Sequence, residues 1–77
     1  MTRAYEEIIE FIAAGSTPTA VVEFQPSQEA RHGIESLLAR QKSQGLSAEE
    51  SAELDQYLEL EHIMRLAKAR ARRRLAS

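Results

Sequence analysis

The chain has 77 residues, 43% of them hydrophobic and 29% charged, with no cysteine and a formal net charge of −2. This excludes a disulfide-stapled scaffold and thiolate metal sites, and leaves room for one small domain that buries about 60% of the surface its unfolded chain exposes. The near-neutral total hides a sorted charge: all 12 acidic residues lie at or before Glu61, where four bases (Arg3, Arg31, Arg40, Lys42) leave −8, whereas residues 62–77 carry +6.

A first helix is expected over residues 3–14. Thr2 can accept from the first free backbone N–H groups, Glu6 and Glu7 face the positive end of the helix dipole, and Tyr5, Ile8, Ile9 and Ile12 recur at helical spacing. Gly15 suits a left-handed residue after the last turn, and Pro18 stops continuation. Residues 15–26 then read as an extended linker that lays Val22 and Phe24 onto the helices. The apolar run of Ala20, Val21 and Val22 is short, and a strand there would need a pairing edge that only a second copy could offer.

A second helix is expected over residues 27–44, capped by Ser27 after Pro26 and ended by Gly45, with Ala30, Ile34, Leu37, Leu38 and Gln41 on its inner face. Gly33 inside it costs up to ~1 kcal/mol relative to alanine and reads as tolerated, not as a point of close helix approach.

The last helix, residues 47–75, carries the strongest signals. Ser47-Ala-Glu-Glu50 has the form of a capping box, no proline or glycine follows, and acidic residues crowd its start while basic residues crowd its end. About 29 residues at 1.5 Å each span on the order of 43 Å, against a diameter of roughly 30 Å for a compact chain of this size. Its apolar residues form one stripe of Tyr57, Leu60, Met64, Ala67, Ala71 and Leu75 and a second of Leu54, Leu58, Leu66 and Ala69, with His62 among the latter. A helix apolar on two sides needs two neighbours: the hairpin of the first two helices, and a second copy of the chain. Leu54, Tyr57, Leu58, His62, Met64 and Leu66 are the expected interface residues.

Candidate chemistry is sparse. Two Glu-x-x-His spacings, Glu29 to His32 and Glu59 to His62, match the way di-iron carboxylate bundles present ligands, with Glu35 as a further donor. Glu29 and His32 project away from the apolar stripe of their helix, so both pairs read as coincidence in a chain rich in glutamate, and no metal or cofactor is expected. No Ser/His/Asp spacing and no glycine-rich phosphate loop occurs, so no catalytic residue is expected and the chain does not read as an enzyme. No apolar run reaches the length of a signal core or a membrane span, which gives the expectation of a soluble, cytoplasmic protein with no membrane partner.

The basic segment, Arg65, Lys68, Arg70, Arg72, Arg73 and Arg74, is the clearest partner-binding candidate. Such a run can neutralise nucleic-acid phosphates with steep salt dependence, but its charges encircle the helix, no aromatic residue is interleaved to stack on bases, and residues 1–61 would repel a polyanion. An acidic protein surface fits as well. One such surface is a second copy, because an antiparallel pair of last helices lays the basic half of one along Glu49, Glu50, Glu53, Asp55, Glu59 and Glu61 of the other.

From Leu46 to Arg72 the sequence LSAEESAELDQYLELEHIMRLAKARAR resembles a pattern in short bacterial proteins that look antitoxin-like and tend to be encoded beside small toxins or HNH-type nucleases. The LEHIMRLAKARAR portion is the more specific part of the match. The resemblance implies a helical partner protein, with neutralisation of a cognate toxin or nuclease as its role, and transfers no functional residue. Together these readings give an all-α fold, a short helical hairpin plus one long C-terminal helix, assembled as an oligomeric helical bundle. The expected function is protein–protein interaction, with nucleic-acid binding through the arginine-rich end as the alternative.

Overall fold

Four helices follow one another along the chain: α1 (Ala4–Ala13), α2 (Pro18–Glu23), α3 (Gln28–Ser43) and α4 (Ala48–Ala76). The structure, a computed structural model, describes residues 3–76 and has no strand among them. Thr2, expected to cap the first helix, lies outside the described residues. Arg3 occupies the N-cap position of α1 in extended conformation with no side-chain cap, and Glu6 and Glu7 fill the first turn.

The expected linker over residues 15–26 is corrected by α2. Thr17 is its N-cap, its hydroxyl accepting from the Ala20 N–H at 3.2 Å, and Pro18 supplies the fixed φ of a first helical residue. The proline expected to stop α1 starts the next helix, while α1 ends earlier, at Ala13, with Gly15 following at φ +75°. Six residues are too few for helical periodicity to stand out from alternation, which is why the run of Ala20, Val21 and Val22 reads as extended. What holds so short a helix is tertiary contact with α4. Phe24 does fold back as expected: its ring lies 4.4 Å from that of Phe11.

Ser27 caps α3, accepting from the Ala30 N–H at 3.1 Å. The Glu7 carboxylate accepts from both the Ser27 N–H at 2.7 Å and its hydroxyl at 2.6 Å, so one acidic side chain of α1 fixes the entry to α3. Gly45, at φ +84°, ends α3 where a side chain would be strained, and its N–H returns to the Arg40 carbonyl at 2.8 Å. The capping box of α4 is present in both halves: Glu50 N–H donates to the Ser47 hydroxyl at 3.1 Å, and Ser47 N–H donates to the Glu50 carboxylate at 3.0 Å. Arg40 pairs with the same carboxylate at 2.5 Å and ties the end of α3 to the start of α4. The Ser47 N–H, followed by the Arg40 guanidinium, holds the Glu50 carboxyl below its usual pKa.

The core sits where α1, α3 and the first half of α4 meet: Ala4, Ala30, Ile34, Leu37 and Leu54, with Leu46 and Tyr57 packed against them. Ala30, Ile34 and Leu37, at i, i+4 and i+7, give α3 a narrow buried stripe, and Leu38 and Gln41, expected on it, are exposed. On α1 the buried positions are Ala4 and Ile8, while Ile9 and Ile12 of the expected stripe point outward. Further along, Met64 and Ala71 are buried where α1 and α2 cover α4. Small side chains at Ala67 and Ala71 leave room for Pro18 and Val21 of α2 against the helix.

The molecule is accordingly long: 48 × 21 × 19 Å, with a radius of gyration of 14.0 Å. A compact chain of this length would have about 11.5 Å. The long helix sets the long axis, and the three shorter helices all pack against it.

Candidate interaction face

The side of α4 that the shorter helices leave open is built by the helical repeat. Leu54, Tyr57, Met64, Ala67 and Ala71 recur at steps of three, four or seven and turn inward, so residues such as Asp55, Glu59, His62, Ile63, Leu66, Arg70 and Arg73 must turn outward. Of the six expected interface residues, two belong to the chain's own core. Leu54 is 1% exposed and Met64 is buried, and Tyr57 is half-buried with its phenol pushed above the usual pKa by that burial and by Glu61 alongside. The two-stripe reading misplaced Leu54, which packs with Ala4 of α1 and Ala30, Ile34 and Leu37 of α3. Leu75, expected on the inner stripe, is exposed beyond the end of α2.

Leu58, His62 and Leu66 are exposed, as an outward face requires. The structure adds two residues that sequence reasoning missed. Ile63 is 49% exposed and Ile12 is 53% exposed. They line a common apolar cleft of about 210 Å³ with Phe11 and Val21. The open face of α4 is therefore continuous with an uncovered edge of α1, and Leu66, 55% exposed, stands one helical turn from Ile63. Sequence held a signal for Ile63: an apolar residue between His62 and Met64 that neither stripe accommodates.

Charge brackets this apolar centre. Asp55 and Glu59 precede it and Arg70 and Arg73 follow it, all four exposed, and among the described residues none of them forms an ion pair within the chain. The other basic candidates divide. Arg65 pairs with Glu61 at 2.9 Å, and Lys68 Nζ donates to the Phe24 carbonyl at 2.5 Å, so both act inside the chain, Lys68 by tethering the segment between α2 and α3. Arg70, Arg72, Arg73 and Arg74 are exposed on the last two turns.

Glu29, His32, Glu35, Glu59 and His62 are all exposed, and among the described residues no group of three or more His, Asp or Glu is gathered closely enough to hold a metal ion. Among those residues no helix is long and apolar enough to cross a membrane. A second cleft, about 190 Å³, opens between Ile8, Phe24, Tyr57 and Met64 with Arg31 and Lys68 at its rim. It lies on the covered side of α4, away from the open face. No family model, no curated protein and no solved structure matches the chain.

Proposed function

We propose that this protein is a helical protein–protein interaction module that assembles with itself through the open face of α4. The observation that carries this reading is the uncovered apolar surface of Leu58, Ile63 and Leu66, with Ile63 sharing a cleft with the exposed Ile12 of α1, on a helix that buries Leu54 and Met64 on its other side. An exposed apolar patch bordered by polar residues on a small domain marks a contact surface. Small domains also gain from oligomers what a small core cannot supply. The antitoxin-like resemblance of Leu46 to Arg72 fits the same face: a cognate toxin or nuclease would be met by this surface of α4 and neutralised by occupation, not by chemistry. Sedimentation equilibrium over micromolar to millimolar concentrations tests the reading. Association is expected in the parent and lost in Leu66→Asp with helicity retained; a parent that stays at one chain throughout would refute it.

A second reading draws on a different observation, the exposure of Arg70, Arg72, Arg73 and Arg74 at the end of a helix that outruns α2. In it, this end binds nucleic-acid phosphates. Four neutralised phosphates would give a slope of about −3.6 in log K against log salt on duplex DNA, and the four arginine-to-alanine changes would flatten it.

A further inference from the structure

We infer that the occupant of the open face is a second copy of this chain lying antiparallel, in a register that sets Glu59 against Arg70 and Asp55 against Arg73 of the other copy. The inference rests on the proposed self-association and specifies its geometry. Asp55, Glu59, Ile63, Leu66, Arg70 and Arg73 follow one another at steps of four, four, three, four and three residues. Alternating steps of three and four keep residues on one strip of a helix, the spacing by which helices pair along a seam. Read from either end, the strip runs from charge through two aliphatic residues to charge of the opposite sign. It is complementary to itself only when reversed.

The register follows from matching the two ends at once. Glu59 with Arg70 and Ile63 with Leu66 are both placed symmetrically about the midpoint between Met64 and Arg65, and Asp55 with Arg73 falls within half a residue of it. One two-fold axis therefore serves the aliphatic centre and both charged flanks, as an isologous contact requires. Ile63 and Leu66 of each copy then meet Leu66 and Ile63 of the other. Ile12 lines the cleft beside Ile63, so α1 of each copy joins the centre from the same side and the four helices form a layer of neighbours around the axis. Parallel pairing fails on the same residues: it sets Asp55 against Asp55, Glu59 against Glu59 and Arg73 against Arg73. Among the described residues none of these charges forms an ion pair within its own chain, so none has such a pair to give up on entering the seam.

The test is a charge swap read as the dimer dissociation constant at low ionic strength, with helicity followed by circular dichroism. Asp55→Arg and Arg73→Asp each turn two symmetric attractions into repulsions, and each is expected to raise the dissociation constant about tenfold. The double variant D55R/R73D restores both pairs with signs exchanged, and its constant is expected within about threefold of the parent. A parallel pair would be insensitive to either single change. A second measurement uses the absence of cysteine: D55C mixed with R73C is expected to give the mixed disulfide on mild oxidation, whereas D55C alone is not cross-linked, its two copies being about 27 Å apart along the axis at 1.5 Å per residue. A dimer whose single variants are as tight as the parent, or which cross-links 55 to 55, would overturn this register while leaving self-association standing. A parent that remains a single chain at millimolar concentration, with Leu66→Asp indistinguishable from it, would overturn both.

Discussion

Leu54 and Leu58 lie one turn apart on α4, yet the fold gives them opposite roles, and replacing each by alanine tests that division. Leu54 is 1% exposed and touches a cluster in which two of the neighbours are Ala4 and Ala30. Alanines have no rotamers with which to close a cavity, so Leu54→Ala should sit within the upper part of the range for buried leucines, about 3–4 kcal/mol. The whole domain, at 0.05–0.15 kcal/mol per residue, has on the order of 4–12 kcal/mol to lose. A fall of that size lowers the melting temperature by roughly 12–30 °C in a domain this small. Leu58 is 46% exposed, and Leu58→Ala should cost less than about 1 kcal/mol.

The assay is urea unfolding followed by far-ultraviolet circular dichroism at one protein concentration, then repeated at a tenfold lower one. Dilution separates a loss inside the chain from a loss between copies, because only the latter scales with concentration. If Leu54→Ala cost no more than Leu58→Ala, or if its cost depended on dilution, Leu54 would belong to the contact between copies and the assignment of the inner face would be wrong.

Three further outcomes follow from individual residues. Gly33→Ala should stabilise the chain by about 0.5–1 kcal/mol, since the position is helical and an added Cβ meets nothing within 4 Å; a loss of stability on urea unfolding would mean that α3 is more closely approached than described. Ser27→Ala removes both the cap of α3 and the hydroxyl that donates to Glu7, and should cost about 1–2 kcal/mol, against about 1 kcal/mol for Thr17→Ala at the cap of α2. Glu50 contributes a pH dependence: its folded pKa lies below the unfolded value of 4.5, so its contribution is complete above that value and is lost as pH falls through the lower folded one. Glu50→Gln should therefore flatten part of the acid limb of the stability profile below about pH 5, and an unchanged limb would remove the capping-box carboxylate from the account.

The sequence is most legible where a local rule has one solution. Ser47 and Glu50 specify a helix start in four residues, Gly45 specifies the stop before it, and the structure places both there. The acidic start and basic end of α4, with no proline or glycine between, settle its length in the same local way. Residues 18–23 are illegible for the complementary reason. Nothing within six residues distinguishes a helix from an extended run, and α2 exists because Thr17 caps it and α4 offers Ala67 and Ala71 as a surface to lie on.

The face of α4 falls between these cases. Its two-sidedness is visible in the composition of the helix, but which apolar residue turns inward depends on where α1, α2 and α3 cross it, and no periodicity of α4 alone contains those positions. Leu54 turned out to be core and Ile63 surface on that account. The charges are better determined than the aliphatic residues, because a helix that carries acids at one end and arginines at the other presents them on every side, and so on whichever side is left open. The uncovered strip thus receives its polarity from the sequence and its position from the fold. This is why orientation is the more robust part of the inferred pairing. A shift of register by one turn would still oppose acids and arginines in an antiparallel pair, whereas a parallel pair would need a stagger of about half the helix, which leaves the aliphatic centres apart and forms no closed two-fold contact.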